Sequence, residues 1–470
     1  MAIRSIDPCT GEVLATYPPA SENEIERCLY QAARAGRQWS SLPIAERAKV
    51  LRALADALES RLERHAETIT EEMGKPISQA RQEVEKCVWT CRYFAEHGER
   101  LLAAERVPLE RGAKGSIRFE PLGPLFAIMP WNFPYWQVFR FAVPAALAGN
   151  SIVLKHAPNV PRCALAIERE WANAGGPRWL LQSLFIEEDQ AERVIADPRI
   201  AGVTLTGSEE AGRAVAAAAG RSLKKTVLEL GGSDAFIVLA DAPVEEVAEI
   251  AARARTINSG QSCIAAKRLI VERPIYKRFL DALVEAMQKL KVGNLFEPDT
   301  MIGPLARDDL RDHLHRQVQE SVAAGAQVVI GGEPLPGPGF FYPPTILVRL
   351  KRGMPAYEEE LFGPVAAVLP ANDPEQALAL ANDTRFGLAA SVWTRDAEVA
   401  EWLAARLQVG VVHINSVVRS DPRLPFGGIK RSGYGRELGS YGIKEFVNIK
   451  AVVEEKLPSR RAVTVQRRAS

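Results

Sequence analysis

Residues 203–220 read VTLTGSEEAGRAVAAAAG. An apolar, β-branched run, a turn at Gly207 and Ser208, and an alanine-rich stretch follow one another without a break. That order is the unit of a parallel α/β sheet, because parallel neighbours need a crossover segment between them. The texture recurs on both sides: GPLFAIM at 123–129, SIVL at 151–154, TVLEL at 226–230 and AFIVL at 235–239, with intervals long enough for helices. A second series, RLIVE, QVVIGG, AASVWT and GVVHIN, is spaced by helical patterns at 274–290 and 374–383. Two α/β units are expected, meeting near residues 229–233. Ahead of them, Ser21 and Glu24 form a capping-box pattern before Ile25, Leu29, Ala32 and Ala33. A second helical face then carries Ile44, Ala48, Leu51, Leu54, Ala55, Leu58 and Leu62.

A chain of 470 residues exceeds what one core organises, which agrees with two units. With 59 basic against 58 acidic residues, nothing in the charge balance favours a nucleic acid or an anionic membrane as partner. Only RRAVTVQRRAS, from Arg460 to Ser470, is locally basic, and it reads as a frayed tail. Asp7, Pro8 and Gly11 stand where a secretory signal needs an apolar core, and no apolar run reaches membrane-spanning length, so a cytoplasmic protein is expected. The six cysteines lack framework spacing, which fits a reducing compartment. Cys87 and Cys91 share a helix face without histidine at ligand spacing and read as packing residues; no metal site is expected. There is neither a Gly-Lys-Ser/Thr phosphate loop nor a G-x-G-x-x-G after a strand.

Chemistry concentrates in a few segments. NSGQSC at 258–263 sets Cys263 among small residues, where it is either a buried small hydrophobe or a nucleophile. PWNFP at 130–134 holds Asn132 between aromatic residues and prolines, a rigid setting for an amide that donates to a developing oxyanion. ELGGSDAF at 229–236 places Glu229 before two glycines, where a carboxylate can line a cleft as general base. Gly207 and Ser208 form either a helix cap or a phosphate-binding turn. Lys155, closing SIVLK, reads equally as a solvated strand end or as a donor to ligand hydroxyls or phosphate, and Glu360 in EEELFGPV as a surface acid or a ribose-binding carboxylate.

In order, PWNFP, the LK strand end, TGS, ELGG, GQSC, EELFGPV and PFGGIKRSGYGRE make the chain resemble the aldehyde dehydrogenase superfamily, across nearly its whole length. LKHAPNV, LELGGSDAF and CIAAKR bring that resemblance nearest to the short bacterial succinate semialdehyde dehydrogenases. It implies a Rossmann-type cofactor domain (1–108 and 127–231), an α/β catalytic domain (232–444), and a small β oligomerisation element (109–126 and 445–470, including the tail) in a homodimer or homotetramer. It also implies Cys263 as nucleophile, Glu229 as base, and Asn132 with the Cys263 backbone N–H as oxyanion hole. Lys155 and Glu360 would hold the ribose hydroxyls of NAD or NADP, Gly207 and Ser208 its pyrophosphate, and Trp131 and Phe362 would flank it.

For the substrate, Arg140 matches an arginine that binds the carboxylate of succinate semialdehyde, and Ser420 matches a channel-lining position. Ile257 replaces a second anchoring arginine found in some members, so Arg419 or Arg423 is a candidate substitute, while Arg255 would point elsewhere. Glutarate semialdehyde or another aliphatic aldehyde is the alternative substrate. Pro158, where NAD-preferring relatives often carry glutamate, leaves NAD and NADP both open. A coenzyme-A-acylating enzyme would have less use for Glu229, and a non-catalytic member would be expected to lack Cys263, Glu229 or Asn132.

Overall fold

Two parallel sheets organise the chain in the computed structural model, which describes residues 3–110 and 113–455. The basic tail from Arg460 lies outside the described residues. The first sheet runs Gly433–Tyr434, Lys225–Glu229, Gly202–Thr206, Leu125–Met129, Ile152–His156 and Leu181–Ser183, parallel except for the short first strand. Its inner strands are buried on both faces, which is why they read as continuous apolar runs. The second sheet runs Gln327–Ile330, Thr345–Val348, Val365–Ala371, Arg268–Glu272, Ala235–Val238, Ala389–Trp393 and Val411–Ile414.

One strand departs from the parallel expectation. Gln327–Ile330 pairs antiparallel with Thr345–Val348. No helix separates the two, so the chain turns back through Gly331 and Gly332, both at positive φ, instead of crossing over. A third, antiparallel sheet joins Glu105–Pro108, Lys114–Pro121 and Val447–Glu454. Two of the expected boundaries therefore fall badly: residues 105–108 belong to this third sheet, and a break between 126 and 127 would cut the central strand of the first.

The helical expectations at the amino-terminal end are met. Ser21 caps Glu22–Ser40 in a reciprocal box with Glu24, and Ile44–Ser60 buries Ala48, Leu51, Leu54, Ala55 and Leu58, with Leu62 opening the next helix. Helix Ile77–Leu101 buries Cys87 and Cys91 beside Phe94 in the apolar core. It also carries Glu83, whose Oε1 accepts from the N–H groups of Tyr135 (2.8 Å) and Trp136 (2.9 Å). Those are orphan donors at the start of helix Trp136–Leu147. Glu83 is ion-paired to the fully buried Lys75, whose ammonium lies 3.8 Å from the Phe133 ring centroid. The turn containing Asn132 is thus held from beneath by a buried charge pair. No helix among the described residues is long and apolar enough to cross a membrane.

Candidate active site

Helix Val244–Thr256 ends where the chain enters the left-handed region at three successive residues: Asn258 (φ 54°), Ser259 (φ 55°) and Gly260 (φ 76°). For the first two this costs roughly 1–2 kcal/mol each, so the surroundings must hold them. They do. Gln79 Oε1 accepts from Asn258 N–H (2.7 Å), and Ser259 Oγ accepts from Gly303 N–H (2.9 Å). The buried guanidinium of Arg255 donates to the carbonyls of Gly260 (2.9 Å), Leu361 (3.0 Å) and Gly363. Arg255 is therefore a buried staple between two loops. A side chain at residue 260 would strike the Gly363 carbonyl, which explains the glycine.

This bend presents Cys263. Two residues earlier, the Gln261 carbonyl accepts from Asn132 Nδ2 (3.1 Å), so the amide from PWNFP lies against the NSGQSC segment. Asn132 keeps a second N–H for another acceptor, while its Oδ1 takes the Phe133 N–H (3.1 Å). Asn258 Nδ2 donates to the Asn132 carbonyl (2.7 Å), closing the link from the other side. Lys267 donates to the carbonyls of Ser262 (2.8 Å) and Cys263 (2.6 Å). Burial pushes the Cys263 thiol up to about 12, and the positive charges of Arg140 and Lys267 pull against that rise.

Glu229 ends strand Lys225–Glu229, where Gly433 pairs with it and Gly231 and Gly232 follow. A Cβ on Gly232 would come 2.9 Å from the Cys263 carbonyl, so the glycine lets the two segments meet. The Glu229 carboxyl is buried and faces Gly427, and its Oε1 has no hydrogen-bond partner among the described residues. Burial drives it well above the usual carboxylate range, Arg140 draws it back, and the charge of Glu437 raises it further. Burial thus favours the protonated form of this carboxyl, and the Arg140 charge favours the carboxylate that can take up a proton.

Arg140, from helix Trp136–Leu147, is fully buried and engaged. Its guanidinium is ion-paired with Glu437, donates to Thr206 Oγ1 (3.4 Å) and lies 4.7 Å from the Phe426 ring centroid. Against burial, the charges of Glu437, Glu229 and Cys263 hold it above its ordinary range. Arg140 thus stands at the electrostatic centre of the site with a carboxylate already bound. Ser420 is buried and accepts from Lys86 Nζ (2.8 Å). Arg423 is paired with Asp421 (2.6 Å), and Arg419 and Ile257 are exposed.

Trp131, Lys155, Gly207 and Ser208 lie at the carboxyl ends of the first sheet's strands, and Glu360 and Phe362 on the loop before strand Val365–Ala371 of the second. Ser208 caps helix Glu209–Arg221 by accepting from Ala211 N–H (3.2 Å), and Gly207 makes the turn before it. Lys155, half-buried at the end of Ile152–His156, has no hydrogen-bond or ion-pair partner among the described residues. Burial lowers its ammonium, and Glu188 opposes that. An unpartnered donor at one strand end, with a helix amino-terminus at the end of another strand of the same sheet, fits a nucleotide's hydroxyls and phosphates. Glu360 is no solvated acid: its Oε1 pairs with Lys267 (3.1 Å) and accepts from Gly232 N–H (3.2 Å). Trp131 and Phe362 meet edge to face, with centroids 5.7 Å apart.

A profile of the aldehyde dehydrogenase family matches residues 1–452. This chain belongs to that family. The aldehyde dehydrogenase is 48% identical over 453 residues to the succinate semialdehyde dehydrogenase [NAD(P)+] of Escherichia coli K12, covering 96% of this chain and 98% of that one. It is 46% identical to the NADP+ succinate-semialdehyde dehydrogenase of Mycobacterium avium, covering 96% of each. Among solved structures, the succinic semialdehyde dehydrogenase of Streptococcus pyogenes in complex with NADP+ superposes with a TM-score of 0.94 at 37% identity, over 96% of this chain and 99% of that one.

Sequence reasoning missed several residues of this aldehyde dehydrogenase's site. Lys267 and Glu437 lie inside motifs that were read, CIAAKR and GYGRE, yet their partners Glu360 and Arg140 are far off in the chain. Lys86 lies on a helix whose periodicity signals only packing.

Proposed function

We propose that this aldehyde dehydrogenase oxidises succinate semialdehyde to succinate with NAD or NADP. One observation carries the chemistry: Cys263 and Glu229, from separate segments, both face the buried charge of Arg140, and Asn132 is hydrogen-bonded to the Cys263 segment. The relatives named above carry the substrate. Cys263 attacks the aldehyde carbon as thiolate, and the Asn132 amide and the Cys263 backbone N–H receive the oxyanion of the thiohemiacetal. Lys155, Glu360, the Gly207–Ser208 turn, Trp131 and Phe362 would hold a nicotinamide dinucleotide, which when bound would supply the acceptor for the hydride lost as the thiohemiacetal is oxidised to a thioester. Glu229 then takes a proton from the water that hydrolyses the thioester, which releases the acid and restores the thiol.

In this reading the first sheet belongs to a cofactor domain and the second to a catalytic domain. The three-stranded sheet is an oligomerisation element, supported by the exposed Ile449 and Val453 on its edge strand. The enzyme is a homodimer or homotetramer of the cytoplasm, and its six free cysteines fit a reducing compartment.

Cofactor reduction on adding succinate semialdehyde without coenzyme A is the test, run with NAD and with NADP, and beside glutarate semialdehyde and butanal. The expected result is reduction by succinate semialdehyde with the highest kcat/KM of the three aldehydes. Dependence on coenzyme A would instead mark an acylating enzyme, and no reduction with any aldehyde a non-catalytic member. Asn132→Ala is expected to lower kcat by about 10²–10³, the usual cost of losing one oxyanion donor. Steady-state kinetics checks it, and a loss of less than about tenfold would remove Asn132 from the oxyanion hole.

A further inference from the structure

A substrate with a carboxylate at its far end needs a cation in the channel, and the expected ones are compromised. Arg140 is ion-paired with Glu437 and Arg423 with Asp421, Arg419 is exposed to solvent, and the second arginine position is Ile257. Lys86 is different. It projects from helix Ile77–Leu101, stacks 4.2 Å from the ring centroid of the buried Trp136, and donates to Ser420 Oγ (2.8 Å). No carboxylate among the described residues lies within ion-pair distance of it. Trp136 lies four residues after Asn132, and Ser420 is the candidate channel residue ahead of PFGG, so both contacts come from segments that carry candidate site residues.

We propose that Lys86, held by Trp136 and Ser420, is the cation that receives the substrate's remote carboxylate and gives the enzyme its preference for an acidic aldehyde. This rests on the reading of the substrate as a carboxylate-bearing aldehyde. The aromatic face and the hydroxyl fix the ammonium's position without neutralising it. An incoming carboxylate therefore gains an ion pair in a half-desolvated site, where a charge-assisted hydrogen bond counts for more than at the surface. The surroundings also tune the charge: burial pulls the Lys86 ammonium down to about 8, and Arg140 pushes the same way, against Cys87, Asp421 and Glu83.

The experiment compares kcat/KM for succinate semialdehyde and for butanal, its neutral analogue of equal chain length, in the wild type, Lys86→Met, Lys86→Gln and Lys86→Arg. The Met and Gln variants are expected to lose about 10- to 100-fold in the ratio of the two values, through a raised KM for succinate semialdehyde, and Arg to recover most of it. The wild-type KM for succinate semialdehyde is also expected to rise from about pH 7 to about pH 9 relative to that for butanal, as the ammonium loses its proton, and Lys86→Met to lack this difference. Using a ratio removes any loss of folded enzyme, and Gln keeps a polar head toward Ser420 if Met disturbs packing. A wild type that prefers succinate semialdehyde, with that preference unchanged in Met and Gln, overturns the assignment of Lys86 alone. A wild type with no preference overturns it together with the carboxylate reading.

Discussion

Replacing Cys263 by Ala lowers aldehyde oxidation by a factor on the order of 10⁴ or more, the scale seen when a covalent nucleophile is removed. No other sulfur is placed to take over: Cys28, Cys87, Cys91 and Cys163 are buried in the core, and Cys9 lies in the turn after strand Ile3–Ile6, where its N–H donates to Asp7 Oδ1 (2.8 Å). The backbone around Cys263 is set by Asn258, Gly260, Arg255 and Lys267 rather than by the thiol, so the variant keeps its fold. Cofactor binding, followed by quenching of intrinsic tryptophan fluorescence, is expected to survive while reduction of the cofactor disappears. A near-native rate in Cys263→Ala would rule out the covalent route.

Glu229→Gln separates the two halves of the reaction. Thioester formation does not require Glu229 as base, whereas hydrolysis does. The variant is therefore expected to release one equivalent of reduced cofactor per active site in a rapid burst, then turn over about 10²–10⁴-fold more slowly than the wild type. Stopped-flow absorbance checks both phases. The pH dependence has a definite sign. The Glu229 carboxyl is raised well above its ordinary range by burial, so it is protonated at low pH and idle as a base. Wild-type hydrolysis should accelerate as pH rises through that titration, and Glu229→Gln should lose the dependence. A variant with neither burst nor slowed turnover would show that another group activates the water.

Much of the fold is legible in local pattern because it is locally caused. Residues 203–220 form strand Gly202–Thr206, a capped turn and helix Glu209–Arg221, and each step follows from β-branched residues, Gly207, Ser208 and a run of alanines. The antiparallel strand at 327–330 was misread because periodicity reports that a strand is half-buried but not which way its neighbour runs. The boundaries at 108 and 126 missed because strand membership depends on pairing across the chain: Lys114–Pro121 finds its second partner in Val447–Glu454.

The candidate site divides in the same way. Cys263, Asn132 and Glu229 are visible in sequence because each sits in a short rigid setting of glycines, prolines and aromatic residues that local chemistry already marks as unusual. Their convergence, by contrast, depends on Gly232 meeting the Cys263 segment and on Asn132 reaching Gln261, 129 positions away. What each charge faces is likewise hidden. Arg140 stands as a free cation in sequence and as Glu437's partner in the fold, and Lys86 reads as an ordinary helix lysine until Ser420, 334 positions later, is brought against it. The sequence by itself determined the strand–turn–helix order and the helix caps, because these arise from steric and hydrogen-bonding preferences within a few residues, and it marked Cys263 as a candidate. Only the tertiary structure decided which cations remain unpaired, because electrostatic pairing depends on distance in space, and separation along the chain does not report it.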